Sequence, residues 1–244
     1  MLDIRNLHKS YDNKEVVHGI DLKVEDGEIF GFIGHNGAGK TTTIKCVVGI
    51  LDFEQGEIFI DGVNIKDDPI RAKSITSFLP DNPDLYENLS GIQYLSFICD
   101  VFKIDKNNRN PEIEKLSKEF ELYEHLGDQI KGYSHGMKQK LAIISSLIHD
   151  PKLLILDEPF VGLDPKAAFI MKNKLKELCD KGGSVFFSSH VLEVVENLCD
   201  KIAIIKSGEI IRNGSTNELL NSGESLEDLF LDLENNNEWV FIII

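Results

Sequence analysis

The chain has 244 residues, 42% hydrophobic and 27% charged, ordinary proportions for a globular protein long enough to bury a sizeable core. A formal net charge of −15 argues against nucleic acid as the main partner, because phosphate backbones are bound by a concentrated basic face. No apolar stretch reaches the roughly 20 residues that span a bilayer, and the N-terminus lacks the apolar core of a signal peptide, so a cytosolic chain is expected. The four cysteines, Cys46, Cys99, Cys179 and Cys199, show no C-x-x-C spacing and read as buried, reduced thiols.

Residues 1–30 hold two strand-like runs around the turn-rich Ser10-Tyr11-Asp12-Asn13-Lys14. The second run, Ile20-Asp21-Leu22-Lys23-Val24, alternates apolar and polar and should bury one face. Ile29-Phe30-Gly31-Phe32-Ile33 is continuously apolar and reads as a buried strand. Gln55-Gly56-Glu57-Ile58-Phe59-Ile60-Asp61-Gly62 is a further alternating strand, placed to pair with the N-terminal ones in a small antiparallel sheet. Ile75-Thr76-Ser77-Phe78-Leu79 is a buried strand closed by Pro80.

From Ser90 the pattern turns helical through Tyr94, Leu95, Ile98, Val101 and Phe102. Asn107-Asn108-Arg109-Asn110-Pro111 reads as a loop, with Pro111 in the first turn of the next helix, which carries Ile113, Leu116 and Phe120. Gly132-Tyr133-Ser134 breaks the pattern, and Ser134 suits the N-cap of a helix bearing Met137, Leu141, Ile144 and Ile148 on one stripe. Leu153-Leu154-Ile155-Leu156 has the unbroken apolar character of a central parallel strand. A helix over 165–179, strand Val185-Phe186-Phe187, a helix through Leu198 and strand Ile202-Ala203-Ile204-Ile205 follow. This alternation predicts an α/β fold with a mainly parallel sheet. Leu226, Leu229, Phe230 and Leu233 suggest a short amphipathic helix, followed by the Asn235-Asn236-Asn237 loop and an apolar tail, 239–244.

Two motifs carry chemistry. The first is Gly34-His35-Asn36-Gly37-Ala38-Gly39-Lys40-Thr41-Thr42, lying between the apolar strand and Ile44-Lys45-Cys46-Val47-Val48, a helical run. It matches G-x-x-x-x-G-K-[ST]. Glycines let successive N–H groups converge on one anion, and the helix start adds its positive dipole end. Lys40 supplies a mobile cation for the outer phosphates, and the Thr41 hydroxyl is placed to ligate Mg²⁺. The reading is a nucleoside-triphosphate site. The second motif is Asp157-Glu158 at the end of the central strand, where such sheets bind ligands. Asp157 is assigned to the metal, and Glu158 to the proton of an attacking water.

Taken with Tyr133-Ser134-His135-Gly136-Met137-Lys138-Gln139, Gly162-Leu163-Asp164 and His190, these residues resemble the ATP-binding subunits of ATP-binding-cassette (ABC) transporters over nearly the whole chain. Leu79-Pro80-Asp81 and the stretch from Ser225 to Phe230 are similar to the drug-export, ABC-2-type branch. The resemblance implies a P-loop NTPase (RecA-like) core with a small antiparallel β subdomain and a helical insertion. It frames one domain over 1–233, with 1–83 and 150–220 as the nucleotide-binding core, 84–149 as the helical signature subdomain and 221–244 as a C-terminal helix and tail. It also implies ATP and Mg²⁺ as cofactors, hydrolysis by Glu158, His190 and Lys40, and adenine stacking on Tyr11. Ser134, Gly136 and Asp164 would serve ATP across a homodimer or heterodimer, and Thr41, Asp157 and Asp81 the metal. A separate transmembrane permease would hold the chain on the cytoplasmic face of the membrane.

Three positions depart from the family pattern. The signature L-S-G-G-Q has Tyr133 and His135 in place of its first Leu and first Gly, and Asp81 stands where glutamine is common. The competing readings are a DNA- or ribosome-associated ABC ATPase, disfavoured by the acidity and the absence of heptads, and a weakly hydrolysing regulatory ATP-binding module.

Overall fold

The computed structural model describes residues 1–12, 14–220 and 226–227. The first half runs β1 (Leu2–Tyr11), β2 (Lys14–Val24), β3 (Ile29–Ile33), α1 (Lys40–Val47), β4 (Gln55–Ile60), β5 (Val63–Asn64), α2 (Pro69–Ser74) and β6 (Thr76–Leu79). The helices α3 (Gly91–Val101), α4 (Lys106–Glu119) and α5 (His135–Leu147) follow. The chain then alternates through β7 (Leu153–Asp157), α6 (Pro165–Asp180), β8 (Ser184–Ser189), α7 (Leu192–Leu198), β9 (Lys201–Lys206), β10 (Glu209–Ser215) and α8 (Thr216–Leu220).

The strands form a four-stranded sheet, β2-β1-β4-β5, and a six-stranded one, β10-β9-β3-β8-β7-β6. The small sheet is antiparallel, as the alternating runs predicted. In the large sheet every neighbour pair from β9 to β6 is parallel, and β10 alone runs antiparallel. Strands β3, β7 and β8 are buried on both faces, hence the near-continuous apolar runs of β3 and β7 and the Val185-Phe186-Phe187 centre of β8.

The period of two sorts these strands into two cores. Phe30, Phe32, Leu153, Ile155, Phe186, Ala203 and Ile205 share a core with Ile44 and Val47 of α1 and with Leu2, Ile4 and Leu22 of the small sheet. Ile29, Ile33, Leu154, Leu156, Val185, Phe187, Ile202 and Ile204 share the other with residues of α5, α6 and α7. Helix α1 is therefore clamped between two sheets.

The helical stretch starts on a capping box in which Ser90 accepts from Gln93 N–H and the Gln93 side chain accepts from Ser90 N–H. Tyr133 is 6% exposed and its hydroxyl donates to the His125 carbonyl at 2.6 Å. Its phenol is thus a core residue of the helices.

Several expectations are corrected. The stretch 107–111 is helix: Asp105 accepts from Asn107 N–H and caps α4, so Pro111 lies in the helix interior. A polar, asparagine-rich run concealed the helix because its cap lay further upstream than Pro111 suggested. Strand β10 was not anticipated. It returns through Ser207 (φ 48°) and Gly208 (φ 84°), a two-residue hairpin turn with both φ positive. Short β5 and α2 were also missed. The expected C-terminal helix and apolar tail lie outside the described residues, apart from Leu226, which is fully buried, and Glu227. No helix among the described residues is long and apolar enough to cross a membrane.

Candidate functional site

The phosphate loop leaves β3 at Ile33 and enters α1 at Lys40. A Cβ on Gly34 would lie 2.4 Å from the Ile205 carbonyl of β9, so only glycine lets the chain leave the sheet there. Gly39, at φ 111°, caps α1 without a side-chain hydrogen bond. Behind the loop, Ala38 N–H donates to His35 O at 3.1 Å and Gly208 N–H donates to Ala38 O at 2.9 Å. The first α-helical bond is Thr43 N–H to Gly39 O, 2.9 Å. The N–H groups before it start the helix, where an anion is favoured.

Lys40 is 6% exposed. Its ammonium donates to Gly34 O at 2.5 Å and His35 O at 3.3 Å, and lies 3.7 Å from Glu158 Oε1. Burial pushes its pKa below the ordinary lysine value, and the attraction of Glu158 and Asp157 only partly opposes this.

Asp157 ends β7 and is 3% exposed. Its Oδ2 accepts from the Thr41 hydroxyl at 2.8 Å and its Oδ1 from the Ser188 hydroxyl of β8. Register produces this second contact, since Asp157 pairs with Ser188. The next residue, Glu158, adopts the left-handed region at φ 51°, and its N–H donates to Ser188 O and Oγ, both at 3.2 Å. That turn swings the carboxylate toward β8. Glu158 Oε2 accepts from His190 N–H at 3.2 Å and stands 2.9 Å from His190 Nδ1. Glu158 Oε1 is buried and has no hydrogen-bond partner.

The sequence-predicted Lys40, Thr41, Asp157, Glu158 and His190 therefore form one constellation. Asp81 lies two residues past Leu79, which pairs with Leu156, at the same end of the sheet; its side chain is exposed. Among the described residues no group of three or more His, Cys, Asp or Glu side chains is arranged to hold a metal. The oxygens of Thr41 and Asp157 nevertheless fit Mg²⁺, which takes one or two protein oxygens plus phosphate and water.

Tyr11 is 44% exposed at the end of β1, not on a preceding loop, and pairs with Lys14. Two residues further along β2, the Val16 carbonyl would lie 3.2 Å from a Cβ on Gly39. Tyr11 thus stands about 7 Å along the strand from the loop's flank. His35, Asn36 and Gly37 are exposed at the loop's crest, Ala38 is buried, and Thr42 continues the first turn of α1.

Ser134, Gly136 and Asp164 gather elsewhere. Ser134 caps α5, accepting from Met137 N–H at 3.2 Å, and Asp164 caps α6, accepting from Ala167 N–H at 2.8 Å. Lys140 of α5 pairs with Asp164 at 2.8 Å and, with the cap bond, holds its carboxyl below the usual range. The hydrogen bonds and the ion pair of this group join the starts of α5 and α6.

Sequence reasoning missed Ser188 and Lys140. The sequence marks Ser188 no differently from Ser184 and Ser189 of the same strand; its meaning comes from the register that sets it opposite Asp157.

A family model described as ABC transporter matches residues 17–161, more than half of the chain. The chain belongs to the ABC transporter family. It is 33% identical over 237 residues to the ABC-type transporter ATP-binding protein EcsA of Bacillus subtilis, covering 96% of each chain. It is 35% identical over 222 residues to the ABC transporter ATP-binding protein NatA of the same organism, covering 89% of this chain and 90% of that one. The linearmycin resistance ATP-binding protein LnrL, also from Bacillus subtilis, is 35% identical over 219 residues, with 90% of this chain and 70% of that one covered. Among solved structures, an ATP-binding subunit of an ABC transporter superposes with a TM-score of 0.92 at 31% identity, covering 96% and 99% of the two chains. The fold also matches a dimeric ATP-binding cassette bound to ADP and Pi, TM-score 0.81 at 21% identity, over 88% of this chain and 99% of that one. The phosphate loop and the Asp157-Glu158 strand end thus belong to an ABC-type ATPase subunit.

Proposed function

We propose that two copies of this chain, or this chain and a related one, close around two MgATP molecules and drive a separate membrane permease in export. The observation that carries the chemistry is Glu158 Oε1, buried without a hydrogen bond and 3.7 Å from the Lys40 ammonium, next to the Thr41–Asp157 pair. The N–H groups at the start of α1 and the Lys40 ammonium bind the β- and γ-phosphates. Tyr11 stacks on adenine. Thr41 and Asp157 would hold Mg²⁺, with Asp81 as a further carboxylate for it; the ion, when bound, would neutralise charge on the phosphate oxygens. Glu158 takes a proton from the water that attacks the γ-phosphorus. The bond to the β-phosphate oxygen then breaks, releasing ADP and phosphate. His190, bonded to Glu158 Oε2, orients that carboxylate and contacts the γ-phosphate.

Residues 84–149 form the subdomain that serves the partner's nucleotide through Ser134 and Gly136, with Asp164 at the same interface. An exposed apolar group, Tyr86, Phe97 and Val101, is where a permease segment would dock; Tyr86 and Phe97 meet edge to face at 5.6 Å. The chain would then lie on the cytoplasmic face of the membrane. The export reading is supported by the resemblance to LnrL, a resistance protein by name.

Glu158→Gln tests the assignment. It should keep ATP binding, lose about 10²–10⁴ in turnover, and accumulate ATP-bound dimers in light scattering. Phosphate release at the parent rate would falsify the role of Glu158.

A further inference from the structure

The signature departure at His135 has a definite place. A Cβ added at Gly162 would lie 2.9 Å from His135 Nε2 and 3.1 Å from Cδ2, so the imidazole fills the space that a side chain at 162 would take. Gly162 has φ 78° and lies in two consecutive turns that lead away from Glu158. Val161 N–H donates to Glu158 O at 3.3 Å, and Leu163 N–H to Phe160 O at 3.5 Å. The stretch then ends on Asp164, which caps α6 and pairs with Lys140 of α5. The start of α5 therefore grips the turn after Glu158 at two points. His135 holds it at Gly162, and Lys140 holds it at Asp164. One helical turn beyond His135, on the same face, Gln139 is 1% exposed with both amide atoms unpaired. A packed seam that leaves a buried amide without partners is not at its best arrangement, and such a seam can shift.

We propose that His135 is a positioning residue that couples the two nucleotide sites of the dimer. Its ring ties the α5 start, which serves the partner's nucleotide, to the turn that carries this chain's own Glu158. The inference rests on the dimeric reading above. Engagement of γ-phosphate at the α5 start moves His135, and the ring pushes or releases Gly162 and so adjusts Glu158 in the other site. A glycine at 135 would leave only the Lys140–Asp164 pair, which is half-exposed at Asp164 and correspondingly weak.

The test compares the full-length parent with His135→Ala and His135→Gln in steady-state ATP hydrolysis across ATP concentration. ATP binding by the single chain is measured separately with a fluorescent ATP analogue. His135→Ala should lower the Hill coefficient toward one and reduce kcat about five-fold, the lower end of site-to-site couplings. Single-chain nucleotide affinity should be unchanged, and His135→Gln, which reaches Gly162 with a polar end, should restore the Hill coefficient. Parent-like cooperativity and kcat in His135→Ala overturn the coupling. The Glu158→Gln control separates the two readings: absence of its ATP-bound dimer sinks the dimeric reading, whereas a normal dimer with unaltered His135→Ala kinetics sinks only the coupling.

Discussion

Ser188→Ala isolates one hydroxyl in the middle of the site. That oxygen donates to Asp157 Oδ1 and accepts from Glu158 N–H at 3.2 Å, and Ser188 is fully buried. Truncation removes a single atom, so the cavity contribution is small. Glu158 N–H keeps a second acceptor, the Ser188 carbonyl at 3.2 Å. The loss is therefore one hydrogen bond to a buried carboxylate, which retains only the Thr41 bond on its other oxygen. Bonds to charged groups contribute about 1.5–3 kcal/mol, and because no backbone group is orphaned the lower half of that range is expected in urea unfolding. The same hydroxyl fixes the rotamer of the proposed metal ligand. Residues that orient a ligand in this way typically change metal affinity about 10–100-fold on removal. Hydrolysis titrated with Mg²⁺ at saturating ATP should show that increase in half-saturation. Ser189→Ala is the control, because its hydroxyl accepts from Val191 N–H and does not touch Asp157. A Ser188→Ala protein that loses stability but titrates with Mg²⁺ like the parent would mean that the hydroxyl serves packing alone, and that Asp157 is not oriented by β8.

Two further outcomes follow from packing and burial. Gly34→Ala would force a Cβ to 2.4 Å from the Ile205 carbonyl, so the loop and β9 must part; calorimetry should show ATP binding at least about ten-fold weaker, with an overpacking cost of about 1–3 kcal/mol in unfolding. His149 stacks on Phe102 at 3.6 Å with both ring nitrogens buried and unpartnered, and burial lowers its pKa from 6.5 to about 4. The unfolded chain takes up that proton first, so stability falls as pH drops from about 6.5 toward 4, by about 1.4 kcal/mol at pH 5.5. His149→Phe should flatten that slope, measured by urea unfolding at pH 7.5 and 5.5, where the carboxylates remain ionised.

The centre of the large sheet was readable because β3, β7 and β8 are buried on both faces, most plainly in the apolar run Leu153-Leu154-Ile155-Leu156. The phosphate loop was readable because its chemistry fixes residue types at fixed spacing. Strand β10 was not, since an edge strand packed on one side alternates weakly, and only Ser207-Gly208 announced its turn. Helix α4 was hidden for a related reason: asparagines at its start are neutral in propensity, and the Asp105 cap that decides the matter is a single residue. Ser188 and Lys140 illustrate the harder limit. Each acts on a residue distant in the chain, Asp157 and Asp164 respectively, and strand register or helix docking must be known before either partner can be named. His135 is the same kind of case, because its meaning depends on Gly162 lacking a side chain.

Burial divides the site into two mechanical classes. The phosphate loop is braced on three sides: by β9 against Gly34, by the β9–β10 turn through Gly208 N–H to Ala38 O, and by β2 against Gly39. Helix α1 behind it is sealed between two sheets. A cradle held in this way presents its N–H groups already aligned, so little ordering is needed when a triphosphate arrives. The parts proposed to couple the two sites have the opposite character: His135, Gly162 and Asp164 are all exposed. They sit on turns and helix starts joined by the packing of His135 beside Gly162 and by the Lys140–Asp164 ion pair. Binding strength and conformational response therefore lie on different elements, and a substitution in the second class should alter coupling between sites while leaving single-chain nucleotide affinity in place.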